Sequence, residues 1–305
     1  MSLPQCCPLC KASRDKQLVV TSHVYGDKER KRAFFHCLDC DVRYQYPGLT
    51  PEEETQFYAA EFEKFMAGRS GVGGGWQGPA SHIRANEATR LRRMKYLEPH
   101  LFPGLRILEV GCSSGFMLQP LQDAGYSCLG VEPSGVFGEF VRSHGLTVYS
   151  SLDELKKTEP GRKFDLIVHF FVLEHIISPQ SFLEEQLDLL DRGGKIILEI
   201  PNAADPLYSV YDIPAFERFY WSIAHPWYFS ESSLQYLLEQ INQPYEILLD
   251  QRYDLSNHMI WARDNKPGGM GRFTDLLGDE LENCYKQALI RIKRCDTLIG
   301  IITKQ

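Results

Sequence analysis

The chain has 305 residues, with 33 Lys and Arg against 40 Asp and Glu (net charge −7) and 43% hydrophobic side chains. This is enough for one full α/β domain with one or two small appendages, and a composition with 24% charged residues is that of a soluble globular protein. The acidic balance argues against a nucleic-acid partner, and there is no apolar run long enough for a membrane span. With no basic-then-apolar leader, a cytoplasmic protein beginning at Met1 is expected.

Residues 1–48 are predicted to form a zinc-binding ribbon. Cys7-Pro8-Leu9-Cys10 and Cys37-Leu38-Asp39-Cys40 are two C-x-x-C turns, each aiming two thiolates at one point, and together they complete a tetrahedral shell for Zn²⁺. Between them, Leu18–Tyr25 and Arg32–His36 flank a polar turn and read as a hairpin that brings the pairs together. Cys6 breaks the spacing and is left out, and His23 and His36 are read as strand residues. Four thiolates leave no open coordination position, so the zinc is structural; a redox dithiol is the rival reading.

Residues 49–80 are predicted to form a helix and a glycine-rich linker or lid. Thr50-Pro51-Glu52-Glu53-Glu54 carries a capping Thr, Pro at the first helical position and acids in the first turn, and the helix should run to about Phe65. Gly68 to Gly78 then reads as flexible, with Trp76 inside it as a substrate-covering residue. A further helix is predicted from Ser81 to about Leu97, carrying Arg84, Arg90, Arg92 and Arg93.

From there strands and helices alternate, as in a doubly wound sheet, with strands near 105–110, 127–131, 146–149, 164–170 and 195–200. Arg106–Phe116 is a strand that breaks at a glycine turn and restarts as a helix, a place where backbone amides can approach a ligand closely. Gly111 and Gly115 lack the central glycine of the dinucleotide fingerprint. Gly111-Cys112-Ser113-Ser114-Gly115 also satisfies the nucleophile-elbow pattern G-x-S-x-G, but it sits in the first strong βα unit, where an elbow would follow several strands.

Glu109-x-Gly111-x-x-x-Gly115 followed by Glu132-Pro133 at the tip of the next strand explains more residues. It resembles the first two motifs of class I S-adenosylmethionine-dependent methyltransferases. That resemblance implies a seven-stranded Rossmann-like sheet and an S-adenosyl-L-methionine site formed by Glu109, Gly111, Cys112, Ser113, Gly115, Phe116, Glu132 and Pro133. Ser151 and Leu152 would contact adenine, and His169 and Phe170 would border the methyl-transfer point at the end of the fourth strand. Arg90 is the candidate partner for the methionine carboxylate. Tyr245–Leu249 and Thr297–Lys304 are the expected sixth and antiparallel seventh strands. An insertion at about 252–295 lies between them, with a strand around His258–Ala262 and a helix from about Phe273 to Arg294, and would serve as a dimer contact or a substrate wall. The methyltransferase domain is thus placed at 81–305.

Methyl transfer to a hydroxyl needs a base, and histidine is largely neutral at pH 7. His175, beside Glu174, follows the fourth strand; His225 lies after the fifth in His225-Pro226-Trp227-Tyr228-Phe229-Ser230. These two histidines, Glu174 and Tyr228 are the candidate catalytic residues. Nine aromatic residues from Tyr208 to Phe229 are expected to divide between core and pocket roof. The layout is similar to zinc-module methyltransferases that modify sugars and polysaccharides. Those that methylate carbon carry Glu-His-x-x-Tyr-Phe-Ser, whereas Ala224 stands here in the place of the Glu. The expectation is therefore O-methylation of a sugar, sugar nucleotide or glycan. Sugar C-methylation, natural-product methylation, rRNA methylation and a non-catalytic binding protein are the alternatives.

Overall fold

The computed structural model describes residues 3–50, 52–53, 57, 62–70 and 77–305. Half of the helix expected from Thr50 to Phe65, and Gly71 to Trp76 of the glycine-rich segment, lie outside the described residues. The start of that helix carries its expected cap: Thr50 N donates to the Glu53 carboxylate at 2.9 Å and Glu53 N to Thr50 Oγ1 at 3.2 Å. Phe62–Ser70 is helical.

Seven strands build the main sheet: β4 (Arg106–Val110), β5 (Ser127–Val131), β6 (Thr147–Tyr149), β7 (Phe164–Phe170), β8 (Leu190–Pro201), β10 (Tyr245–Asp250) and β11 (Thr297–Thr303). Their order is β6-β5-β4-β7-β8-β11-β10, and β11 runs antiparallel to both of its neighbours. Alternation along the central strands splits the core in two, as a sheet covered on both faces requires. Ile107, Leu166 and Val168 face the helices Glu87–Leu97, Leu118–Asp123 and Gly135–Ser143. Leu108 and Ile167 face Leu152–Thr158, Pro179–Leu189 and Glu231–Ile241.

The front of the chain forms a second sheet, β1 (Gln17–Thr21), β2 (Ala33–Cys37) and β3 (Arg43–Tyr46), to which β9 (Trp227–Tyr228) adds an antiparallel edge. The expected hairpin is present, while β3 and β9 were not foreseen. The ribbon is therefore continuous by hydrogen bonds with the segment after β8. Cys7 Sγ lies 3.7 Å from Cys40 Sγ and Cys10 Sγ 3.5 Å from Cys37 Sγ. A tetrahedral zinc with bonds of about 2.3 Å needs sulfurs about 3.8 Å apart, so the four thiols fit the ion and are too far apart for disulfides.

Two expectations in the C-terminal region are corrected. His258–Ala262 lies in a helix, Leu255–Asp264, capped by Asp254, whose side chain accepts from Asn257 N, and closed by left-handed Asn265. Its apolar run is one buried helical face, with Ile260 and Trp261 inward and Met259 outward. The long helix predicted from Phe273 breaks at Gly278 (φ +82°) into Thr274–Leu277 and Asp279–Arg291. The single helix expected from Ser81 likewise breaks at Asn86, into Pro79–Ala85 and Glu87–Leu97.

Candidate active site

A cavity of about 1250 Å³ opens at the carboxyl ends of β4, β5 and β7 and extends over the chain that follows β8 and β10. A single drug-sized ligand occupies roughly 300–1,000 Å³ of pocket, so there is room here for a cofactor and an acceptor.

The cofactor half is built on the glycine turn. Gly111 has φ +75°, and a Cβ there would lie 2.6 Å from Val172 Cγ2, so only glycine fits between β4 and the loop after β7. The Gly111 and Cys112 amides both donate to the Val131 carbonyl, at 2.8 and 3.1 Å. Glu132 accepts from Ser113 N at 2.7 Å and from Ser134 N at 2.8 Å, and its carboxylate lines the cavity. A carboxylate at this strand end, turned to the cavity, suits a hydroxyl donor such as a ribose. Gly111, Ser113, Phe116, Pro133, Ser151, Leu152 and Phe170 also line this half. Glu109 lies on the cavity wall, is 2% exposed, and its Oε2 has no partner among the described residues. Burial pushes its carboxyl up to about 8, against the pull of Arg93. An orphaned buried carboxyl facing a cavity fits the ammonium of a methionine moiety.

Several candidates stand elsewhere. Cys112 is fully buried in the core, where a Cβ on Gly130 would lie 2.7 Å from its sulfur, and it does not line the cavity. Gly115 shapes the turn (φ +72°) behind the lining. His169 is one residue out of phase with Phe170: strand alternation turns it onto the opposite face, where its ring packs edge-on against Phe182. Burial lowers it to about 3, so it is a neutral core residue. Arg90 pairs with Glu87 on the helix surface and does not line the cavity. Arg93, three residues on and 5% exposed, does line it, with Nε donating to Glu199 at 2.6 Å and its guanidinium 4.3 Å from the Phe170 ring centre. Tyr228 donates its hydroxyl to the Tyr220 carbonyl and accepts from Ser222 N, so it is committed to backbone and stands outside the lining.

The acceptor half gathers Glu174, His175 and His225. One ligand atom of each lies within 4.8 Å of the others, a spacing that could hold a cation. Glu174 is 1% exposed, neither oxygen has a hydrogen-bond partner among the described residues, Oε1 lies 4.0 Å from His175 Nε2, and burial raises the carboxyl to about 8. His175 Nδ1 lies 2.7 Å from the Ala224 carbonyl, which fixes the proton on that nitrogen and leaves Nε2 as the basic one. Burial lowers His175 to about 4; burial first, then His175 and Arg69, hold His225 well below the usual histidine range. The two rings meet edge to face at 4.6 Å.

Phe216, Phe219, Tyr220 and Trp261 wall this half, with Asp205, Arg252 and Asn257 among them. Trp221 and Tyr228 are core, so the aromatic segment divides as expected. The insertion supplies Asn257 and Trp261 and is thereby a wall of the cavity. Sequence reasoning missed Arg252 and also His82, which is 5% exposed, lines the cofactor half and holds Ser114 Oγ 2.9 Å from its Nδ1.

A seven-stranded sheet with one antiparallel strand, together with a glycine turn and an acidic strand end facing one cavity, defines a class I S-adenosylmethionine-dependent methyltransferase. Residues 81–243, just over half of the chain, match the family described as "Methyltransferase domain", and the chain belongs to it. It is 28% identical over 166 residues to a ubiquinone biosynthesis O-methyltransferase of Chelativorans sp. (strain BNC1), covering 48% of this chain and 64% of that protein. It is 24% identical over 180 residues to the enzyme of the same name from Brucella anthropi, covering 53% and 71%. Among solved structures, the plantazolicin methyltransferase BpumL in complex with SAH shares the fold at 15% identity, with a TM-score of 0.50 over 83% of this chain and 94% of that one. None of the described helices is long and apolar enough to cross a membrane.

Proposed function

We propose that the chain O-methylates a polyhydroxylated small molecule, a sugar, sugar nucleotide or glycan, with His225 as general base and a structural zinc in the front ribbon. S-adenosylmethionine, when bound, supplies an electrophilic methyl group. Gly111, Ser113 and Glu132 would hold its nucleoside and Glu109 and Arg93 its methionine end. His225, neutral at pH 7, accepts the hydroxyl proton as the oxygen attacks, and His175 and the apolar wall keep water from competing. The observation that carries the acceptor class is the wall itself. Aromatic faces of Tyr220 and Trp261 beside Asn257, Asp205 and Arg252 combine stacking surface with hydroxyl-orienting groups. A phenolic acceptor is the second reading, favoured by the O-methyltransferase names of the relatives. Incubation with methyl-labelled cofactor and a panel of nucleotide sugars, oligosaccharides and dihydroxybenzoates separates them. Label on a sugar oxygen is expected; label on phenols alone would overturn the sugar assignment.

Cofactor binding should also release protons. Glu109 and Glu174, both raised to about 8, are mostly protonated at pH 7, and a cationic ligand beside either favours the carboxylate. Binding enthalpies measured at pH 7 should therefore vary with buffer ionisation enthalpy, with release of about one proton that Glu109→Gln abolishes. Buffer-independent enthalpies would contradict this.

A further inference from the structure

We infer that the four-cysteine ribbon positions His225 by gripping the irregular segment 221–230 at both ends, so that acceptor chemistry depends on the ribbon while cofactor binding does not. The inference rests on the methyl-transfer reading for the role of His225; the grip itself is a matter of hydrogen bonds.

At the front of the segment, Tyr25 N donates to the Trp221 carbonyl at 2.6 Å and Ile223 N donates to the Tyr25 carbonyl at 2.9 Å, bracketing Ser222. Behind it, Gln45 N donates to the carbonyl of Pro226, the residue next to His225, at 2.9 Å. Then β3 and β9 pair Tyr44 with Trp227 and Arg43 with Tyr228. The last hold is Ser230 Oγ, which donates to Asp41 Oδ2 at 2.5 Å.

The rear grip, at Asp41 and Tyr44, is set by the cysteine turn. Asp41 follows Cys40 at φ +62°, its amide donates to the Cys37 carbonyl at 2.9 Å, and Cys37 N donates to the Val42 carbonyl at 2.9 Å. Gln17 links the sulfur to β3: its Nε2 lies 3.7 Å from Cys37 Sγ and its Oε1 accepts from Tyr44 at 2.9 Å. By contrast, none of the hydrogen bonds of Gly111, Ser113 or Glu132 given by the described residues reaches the ribbon. A turn segment of this kind is ordered by its neighbours, and a shift of about 1 Å in a reacting group costs on the order of 10²-fold in rate.

The test uses the full zinc-loaded chain and three substitutions at the two residues of one contact. Asp41→Asn weakens the bond to Ser230 and leaves the helix cap intact; Ser230→Ala removes the bond, and Ser230→Thr restores a hydroxyl that both bonds and caps. Zinc content, affinity for S-adenosylhomocysteine, amide exchange across 221–230 and the rate of His225 modification by diethyl pyrocarbonate are measured for each. Zinc content and affinity should stay within about twofold of the parent while exchange and modification rise about tenfold in Asp41→Asn and Ser230→Ala, and Thr should return both to parental rates. Unchanged exchange and modification in both variants, or affinity falling in step with them, would overturn the inference. A parent chain that binds no S-adenosylhomocysteine would refute the methyl-transfer reading, while exchange and modification would still decide the grip.

Discussion

Replacing His225 by alanine should lower methyl transfer by about 10²- to 10⁴-fold, the usual contribution of a general base, and leave cofactor affinity unchanged. The imidazole lies in the acceptor half, and its depressed pKa keeps it unprotonated throughout the neutral range. The acid limb of the rate profile should accordingly fall below pH 6.5, because protonation of this ring, which removes the base, is opposed by burial and by the neighbouring His175. Tyr228→Phe is the control from the same segment: its hydroxyl holds the Tyr220 carbonyl and the Ser222 amide outside the cavity lining, so the cost should appear in stability and not in the pH profile. Steady-state rates across pH with the acceptor found in the panel check both variants. Full turnover in His225→Ala with cofactor bound would remove the base assignment.

The double change Cys37→Ser and Cys40→Ser should abolish metal binding and open the ribbon. A bound structural zinc contributes roughly 10 kcal/mol or more, and a fragment of this size has little core of its own. Its buried residues Phe35 and Tyr44 share a cluster with Trp227 and Phe229, so the loss should spread to β9. Zinc analysis should find about one ion per parent chain and none in the variant. Limited trypsin digestion should then cut among Lys28, Arg30, Lys31 and Arg32 in the variant far faster than in the parent. Equal protease resistance without metal would show that the ribbon is held by packing alone.

The long, strongly patterned elements were legible in the sequence. β5 and β7 match their predicted ranges because they are apolar runs bounded by turn residues. The cysteine pairs announce themselves by spacing, as the glycine turn does by its flanking acids. What escaped depends on parity, phase or distant pairing. His169 and Phe170 are adjacent at a strand end, and only the facing of the strand decides which one meets the cavity. Arg90 and Arg93 differ by less than one helical turn, and the break at Asn86 sets the phase. The edge strand β9 has two residues and no periodicity; it exists because β3 lies beside it. For the helix Leu255–Asp264, the Asp254 cap was a readable signal that the apolar run beside it outweighed.

The central claim is a cavity shared between a nucleoside end at Gly111 and Glu132 and an acceptor end at His225. A crystal structure with S-adenosylhomocysteine bound tests it most directly. The ribose hydroxyls should lie within hydrogen-bond distance of Glu132, the methionine end should point toward Glu109, and the sulfur should face the space in front of His225. A nucleoside seated instead against Tyr220 and Trp261, with no ribose hydroxyl near Glu132, would contradict the account.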